Sequence, residues 1–320
     1  MARIITLDRI KEALRPADII QAVEEGFVAY SEDRVVVPPV GEMIFENPPG
    51  DVHLKYGYIR NDDIYVVKIA SGFYENPKLG LASGNGLILV FSQKTGEIQA
   101  ILLDEGLLTD ARTAAAGAVA ARHLAPHEIR RIGILGAGTQ GRLQLDYLRF
   151  VTACREVLAW GQNQEELDAY KAAMTPLGFN IETTLNPNDI SETCSLIVTA
   201  TPSKSPLLKA DSILPGTHIT AVGSDTAEKI ELDPAILGRA DLVVADSIAQ
   251  CRCRGEIFQA LASGQIREED VIELGDVIQG KSPKRTADDQ ITIADLTGVA
   301  VQDIQIAKSV LRHIPNDPEQ

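Results

Sequence analysis

Residues 132–141 read Ile-Gly-Ile-Leu-Gly-Ala-Gly-Thr-Gln-Gly, so Gly136, Gly138 and Gly141 form G-x-G-x-x-G directly after an apolar run and before a helical one. Each glycine has its own task in a dinucleotide-binding turn. Gly136 allows the tight bend, Gly138 lets backbone approach a pyrophosphate, and Gly141 lets helix pack on strand. The helix amino terminus then turns its free N–H groups toward the phosphates. Working outward, EVLAWG, SLIVTATP, THITAVG and DLVVADS repeat a short apolar run closed by Gly, Ser, Thr or Asp. Helical stretches such as RLQLDYLRFV and QEELDAYKAAM are interleaved with them. Strands alternating with helices predict an α/β fold whose doubly wound parallel sheet is covered on both faces, here over 126–297.

Upstream the texture differs. Ala17 to Tyr30 carries Ile19, Ile20, Val23, Phe27 and Val28 at helical spacing. VHLKYGYI, IYVVKIAS, GLILVF and EIQAILL are short, β-branched runs separated by turn signals, which predicts an antiparallel or mixed sheet. Thr109 to Ala125 is Ala-rich and helical, with Thr109 as its expected N-cap, and Pro126 closes it. Residues 1–125 therefore read as an α+β domain. The tail 298–320, helical from Gly298 to His313, is expected to return to the first domain.

The 320 residues fit two domains at about 150 residues each. A formal charge of −15 excludes the basic footprint of a nucleic-acid binder and disfavours an anionic lipid surface, leaving small molecules and other proteins as partners. Cys154, Cys194, Cys251 and Cys253 are scattered, and the five histidines show no ligand spacing, so no metal is expected. MARIITLDRIKEAL lacks an apolar signal core, and no run is long and apolar enough for a membrane helix, so a reducing cytoplasm is the expected compartment.

Several residues invite chemistry. Lys68 interrupts the apolar run IYVVKIA and reads two ways: a desolvated lysine on an inner strand, able to orient a carboxylate or exchange a proton, or a strand-edge lysine whose stem snorkels to water. Arg112 sits near the start of the Ala-rich helix, where a cation opposes the dipole at a cost of about 0.3–1 kcal/mol. Either a substrate carboxylate or an internal salt bridge to Asp110 or Glu105 would offset that cost. Asp225 follows the strand HITAVG at the ligand-facing end of a parallel sheet, as a proton shuttle or a turn aspartate. His53 and Lys55 share one strand face by period two, looking into a pocket or into solvent. Ser83 completes the substrate-binding candidates.

Cofactor contacts are expected from Gly136, Ala137, Gly138, Thr139, Gln140 and Gly141 of the loop and from Thr113. Further contacts are expected from Thr199, Ala200 and Thr201 at one strand end, Val222 and Gly223 at the next, and Asp295, which reads alternatively as a cap of the last helix. Beyond the second strand the chain reads Trp160-Gly-Gln-Asn-Gln-Glu-Glu166, without the acid that usually reads an adenosine ribose. No Arg or Lys stands between Arg155 and Lys171 to meet a 2′-phosphate, and Gln162 or Asn163 can bond neutral hydroxyls, so NAD is favoured over NADP.

Seven segments in order make the chain resemble the ornithine cyclodeaminase and mu-crystallin family: VVKIAS around Lys68, LLTDARTAAAGAVAARHLA around Arg112, IGILGAGTQG, VTATPSKSPLL, HITAVGSDTAEKIELD around Asp225, RGEI at Arg254 to Ile257, and ITIADLTGVAVQD. The resemblance implies a Rossmann domain, an amino-terminal domain that dimerises through its sheet, and substrate held between domains. It also implies hydride transfer between a nicotinamide and the α-carbon of an amino or imino acid, with Lys68 and Arg112 clamping the α-carboxylate and Asp225 exchanging the proton. The expected activity is NAD(P)H-dependent reduction of a small imino acid, with iminosuccinate among the candidates. A cyclodeaminase using NAD catalytically and a non-catalytic crystallin-like binder are the alternatives. Many members carry a basic residue just after the stretch matching VVPPV, where this chain has Val40-Gly-Glu42, and His53 and Lys55 are the candidates to replace it.

Overall fold

Alternating apolar residues build the first sheet. In the computed structural model, which describes residues 2–73 and 75–315, it comprises β1 (Arg3–Ile5), β2 (Val35–Val36), β3 (Gly41–Glu46), β4 (Pro49–Ile59), β5 (Ile64–Phe73), β6 (Gly84–Ser92) and β7 (Ile98–Leu102). The strand order is β1-β7-β6-β5-β4-β2, with β3 also paired to β4. The sheet is mixed: β1 runs parallel to β7, and the other pairs are antiparallel. Helices α1 (Leu7–Ala13) and α2 (Pro16–Ser31) precede its long strands, and Ile19, Ile20, Val23 and Phe27 of α2 are buried at the predicted spacing.

The next helix, α3 (Leu107–Leu124), begins earlier than its Ala-rich run suggests. Asp104 Oδ2 accepts from the Leu108 N–H at 2.8 Å, and Glu105 and Gly106 take positive φ of 51° and 90° to set up that cap. Thr109 therefore lies inside the helix, and the expected cap at Thr109 is corrected to Asp104.

The chain divides into two units, Met1–Arg112 with Val299–Gln320, and Thr113–Gly298. The division falls within α3 rather than at the expected 125/126, because its Ala-rich half packs into the second unit, where Gly117 lies against Gln144. Residue 1 and residues 316–320, the outer ends of the predicted segments 1–125 and 298–320, lie outside the described residues.

The second unit runs β8 (Ile132–Leu135), α4 (Thr139–Leu148), β9 (Glu156–Trp160), α5 (Gln164–Met174), β10 (Asn180–Thr184), α6 (Asn188–Thr193), β11 (Leu196–Thr199), β12 (Lys204–Leu208) and β13 (His218–Ala221). It continues with β14 (Ile230–Leu232), α7 (Pro234–Arg239), β15 (Leu242–Ala245), α8 (Ile248–Cys251), α9 (Gly255–Ala262), β16 (Val271–Glu273), α10 (Leu274–Gln279) and β17 (Thr292–Asp295). Eight strands in the order β10-β9-β8-β11-β13-β17-β15-β16 form one sheet, all parallel, while β12 and β14 make a separate pair. This is the doubly wound fold the sequence predicts, with the order reversing between β8 and β11. Strand β17 escaped the sequence reading although it lies between β13 and β15; its four residues are too few to show a period. The last helix, α11 (Ala300–His313), belongs to the first unit and packs on α2 and β4. No helix among the described residues is long and apolar enough to cross a membrane.

The glycine loop shows why its residue types are needed. Gly136 has a φ of 113°, and a Cβ there would lie 2.6 Å from the Ala200 carbonyl oxygen; a Cβ on Gly141 would run into the Gly136 carbonyl, whereas Gly138 faces open space. Gly141→Ala should lower unfolding free energy by about 1–3 kcal/mol in urea titration, and Gly138→Ala by under about 1 kcal/mol. Equal losses would show that crowding is not what separates the two positions.

Candidate functional site

In the first unit, β5 lies between β4 and β6, so Lys68 is on an inner strand and only 2% exposed. The snorkelling alternative is thereby excluded. Its Nζ donates to Asp303 Oδ1 at 3.0 Å, and Asp303 is 0% exposed in α11. Arg112 Nε lies 3.2 Å from the same oxygen, and Arg112 Nη1 donates to Gln302 Oε1 at 2.7 Å. The salt bridge considered for Arg112 thus runs to Asp303 rather than to Asp110 or Glu105. Lys55 stands opposite Lys68 in the β4–β5 register, on the same sheet face, and is only 8% exposed, which corrects its solvent-facing alternative.

Three cations therefore gather around one buried carboxylate. Burial pushes Lys68 down to about 8, and neighbouring Arg112 pushes the same way against the pull of Asp303. Burial alone would raise Asp303, but Lys68, Arg112 and Lys55 outweigh it and hold the carboxyl below its ordinary value. Asp303 Oδ2 and Gln302 Nε2 are buried without a hydrogen-bond partner in the protein. A face with this much positive charge and unused polar capacity suits a small anion. His53 and Ser83 do not join it. The His53 ring sits between Glu42 and Asp51, at 3.5 and 3.3 Å, and Ser83 lies in an exposed turn whose carbonyl accepts from the Phe73 N–H.

In the second unit the predicted cofactor residues cluster at the carboxyl ends of β8, β11 and β13. Gly138 N-caps α4 without a side-chain bond, leaving the first-turn N–H groups open to an anion. Thr139 is exposed there and Ala137 is buried. Gln144 Nε2 donates to the Thr113 carbonyl and approaches Gln140 Oε1 at 3.5 Å, joining α4 to α3. Ala200 N bonds Leu135 O, and Val222 N bonds Thr199 O, so the loop ends are laced together.

Other predicted residues are engaged locally. Asn163 caps α5, its side chain accepting from the Glu166 N–H at 2.9 Å, while Gln162 beside it is exposed. Asp295 is buried and accepts from the Ile257 N–H at 2.8 Å, so the helix whose start it serves is α9, not the last helix. Asp225 sits in the loop after β13, half-exposed, with Lys229 Nζ donating to it at 2.6 Å and Arg254 reaching its carbonyl at 3.4 Å.

Sequence reasoning missed two carboxylates here. Glu231 accepts from Thr199, Thr201 and Gly223, and Glu256 accepts from the N–H groups of Glu231 and Leu232. Burial pushes them up to about 7 and about 8. In Ile230-Glu-Leu232 the alternation reads as an outward-facing acid, so only its place among the strand ends marks it. Gln302 and Asp303 were missed likewise; two polar residues inside the apolar face Val-Ala-Val-Gln-Asp-Ile were the available signal. Among the described residues, no group of three or more His, Cys, Asp or Glu is placed to hold a metal ion.

Comparison with known proteins places these geometries in one family. Residues 2–316 match the model of the ornithine cyclodeaminase/mu-crystallin family. An uncharacterized cyclodeaminase of Sinorhizobium fredii is 42% identical over 293 residues, 91% of this chain and 88% of that one. An archaeal alanine dehydrogenase dimer with bound NAD superposes with a TM-score of 0.90 at 32% identity, covering 98% of this chain and 95% of that one. The iminosuccinate reductase of Paracoccus denitrificans in complex with NAD+ also has a TM-score of 0.90, at 31% identity, over 98% and 96% of the two chains. The chain belongs to the ornithine cyclodeaminase/mu-crystallin family.

Proposed function

We propose that the chain is a nicotinamide-dependent oxidoreductase that reduces a small 2-imino acid to the corresponding amino acid. The observation that carries this reading is the buried group of Lys68, Arg112 and Lys55 around Asp303, an anion-seeking surface inside a chain of net charge −15. In this reading Lys68 and Arg112 hold the α-carboxylate, and their charge draws electron density from the adjacent C=N carbon. Fixing that carbon in one orientation supplies much of the rate. Asp225 exchanges the proton at the nitrogen, taking it up from solvent before giving it to the substrate, and Lys229, donating to its carboxyl at 2.6 Å, positions it. The residues Gly136–Gly141 fit a dinucleotide, since Gly138 leaves open space at an uncapped helix start. When bound, that cofactor supplies the hydride. The NAD-bound relatives support NAD as the cofactor, as does the acidic first turn of α5 formed by Glu165 and Glu166.

Lys55 extends the reading to a substrate with a second carboxylate, such as iminosuccinate giving aspartate. A homodimer is supported by the archaeal alanine dehydrogenase dimer and by exposed Met43, Ile44, Phe45, Tyr56 and Tyr58 on adjoining strands. The second reading, ornithine-type cyclodeamination, is supported by the Sinorhizobium relative. The two differ in redox balance. Steady NADH oxidation with 2-oxo acids plus ammonium marks the reductase, and ammonia release from ornithine without net NADH change marks the cyclodeaminase.

Four outcomes are expected of the reductase. Lys68→Ala and Arg112→Ala should each cut kcat/KM at least about 100-fold, the cost of losing a buried charged contact to the substrate carboxylate. Lys55→Ala should raise KM for iminosuccinate while sparing monocarboxylic imines; an unchanged KM would remove the second-carboxylate assignment. Because Lys68 is charged below about 8 and neutral above it, KM should climb as pH passes that value. Asp303→Asn, which removes the stabilising anion, should start the climb at lower pH and cost about 3–5 kcal/mol of stability, read by chemical denaturation.

A further inference from the structure

We propose that Glu231 is a positioning residue for the nicotinamide half of a bound dinucleotide. Its carboxylate is 0% exposed and accepts four donors: Thr199 Oγ1 at 2.7 Å, Thr201 N at 2.7 Å, Thr201 Oγ1 at 2.8 Å and Gly223 N at 3.0 Å. Those donors come from the ends of two adjacent strands, β11 and β13. One side chain thus fixes both loops that leave the sheet edge there. Glu231 is in turn pinned by Glu256, at the start of α9, through the N–H groups of Glu231 and Leu232 at 2.8 and 3.2 Å.

The place of these loops in the fold gives the network its purpose. In a doubly wound sheet the pyrophosphate sits on the turn after the first strand, here β8, and the adenosine ribose is read at the end of the second, here β9. The other nucleotide then lies across the switch point, over β11 and β13. Gly223 is packed tightly against this network, since a Cβ on it would come within 2.6 Å of Glu231 Oε2 and 2.5 Å of Thr201 N. Contacts to a ligand ring hold only if the loops that make them are fixed to a fraction of an ångström. With Glu231→Gln, an amide N–H would meet donors that need an acceptor, so one of the two loops must move.

The inference rests on the dinucleotide reading above, and its test separates the two. Calorimetric Kd values for NADH and for ADP-ribose, which lacks the nicotinamide, are measured on the full chain. Glu231→Gln is expected to weaken NADH about tenfold and ADP-ribose less than about twofold, the scale of one buried group left unsatisfied. Thr201→Val, which removes one hydroxyl and keeps the backbone donor, is expected to shift the same ratio about threefold, and serves if Glu231→Gln does not fold. Equal weakening of both ligands, or an unchanged NADH affinity in a folded variant, would overturn the positioning role. If the unaltered protein binds ADP-ribose but not NADH, the positioning role falls alone; if it binds neither, the dinucleotide reading falls with it.

Discussion

Asp303 is the constraint on which the first unit turns. A lysine and an arginine taken out of water cost several kcal/mol each unless a counter-charge meets them, and one carboxylate oxygen meets both, at 3.0 and 3.2 Å. Gln302 beside it takes a second donor of Arg112, so two consecutive residues of α11 orient both cations. Lys55 stands directly opposite Lys68 and adds its own attraction to Asp303, while buried Asp104 adds a second carboxylate on the Lys68 side. Like charges placed opposite each other destabilise a sheet, and Asp303, which attracts both lysines, offsets part of that cost.

The second unit is governed by a different economy, that of backbone. Its glycine loop is shaped by steric exclusion, Gly141 against the Gly136 carbonyl and Gly136 against Ala200. Its strand ends are shaped by hydrogen bonds to buried carboxylates. Glu231 accepts from the N–H groups of Thr201 and Gly223 beyond β11 and β13, Glu256 from those of Glu231 and Leu232 in β14, and Asp295 from that of Ile257 in the first turn of α9. Buried acids here act as acceptors for backbone N–H groups at strand ends, along a strand edge and in a first helical turn.

The doubly wound unit was largely legible because its signals are local: short β-branched runs, turn residues and one spaced glycine motif. Lys68 was legible for a related reason, a charge inside an apolar run being visible in seven residues. Asp303 was not, since an acid in the first turn of a helix ordinarily complements the dipole at the surface, and nothing local ties it to Lys68. Asp295 and Asn163 show the converse. Both stand where a cofactor contact is expected, yet their side-chain oxygens serve helix starts, a use that the spacing of cofactor motifs does not reveal. The cap of α3 moved from Thr109 to Asp104 because Gly106 permits a tight left-handed approach that hydrophobic spacing does not reveal.

The return of α11 to the first unit has a consequence for how the chain is made. Lys68 and its counter-ion are 235 residues apart, and Arg112 and Gln302 are 190 apart. The intervening Rossmann unit is continuous in sequence and reaches the end of its own chain segment first. While the ribosome is still adding α11, the amino-terminal sheet holds cations whose partner does not yet exist, and burying them would incur the full desolvation cost. The unit synthesised first is thus the last to be completed, and a chain cut short before Asp303 leaves it with unmatched charge at the centre of its intended core.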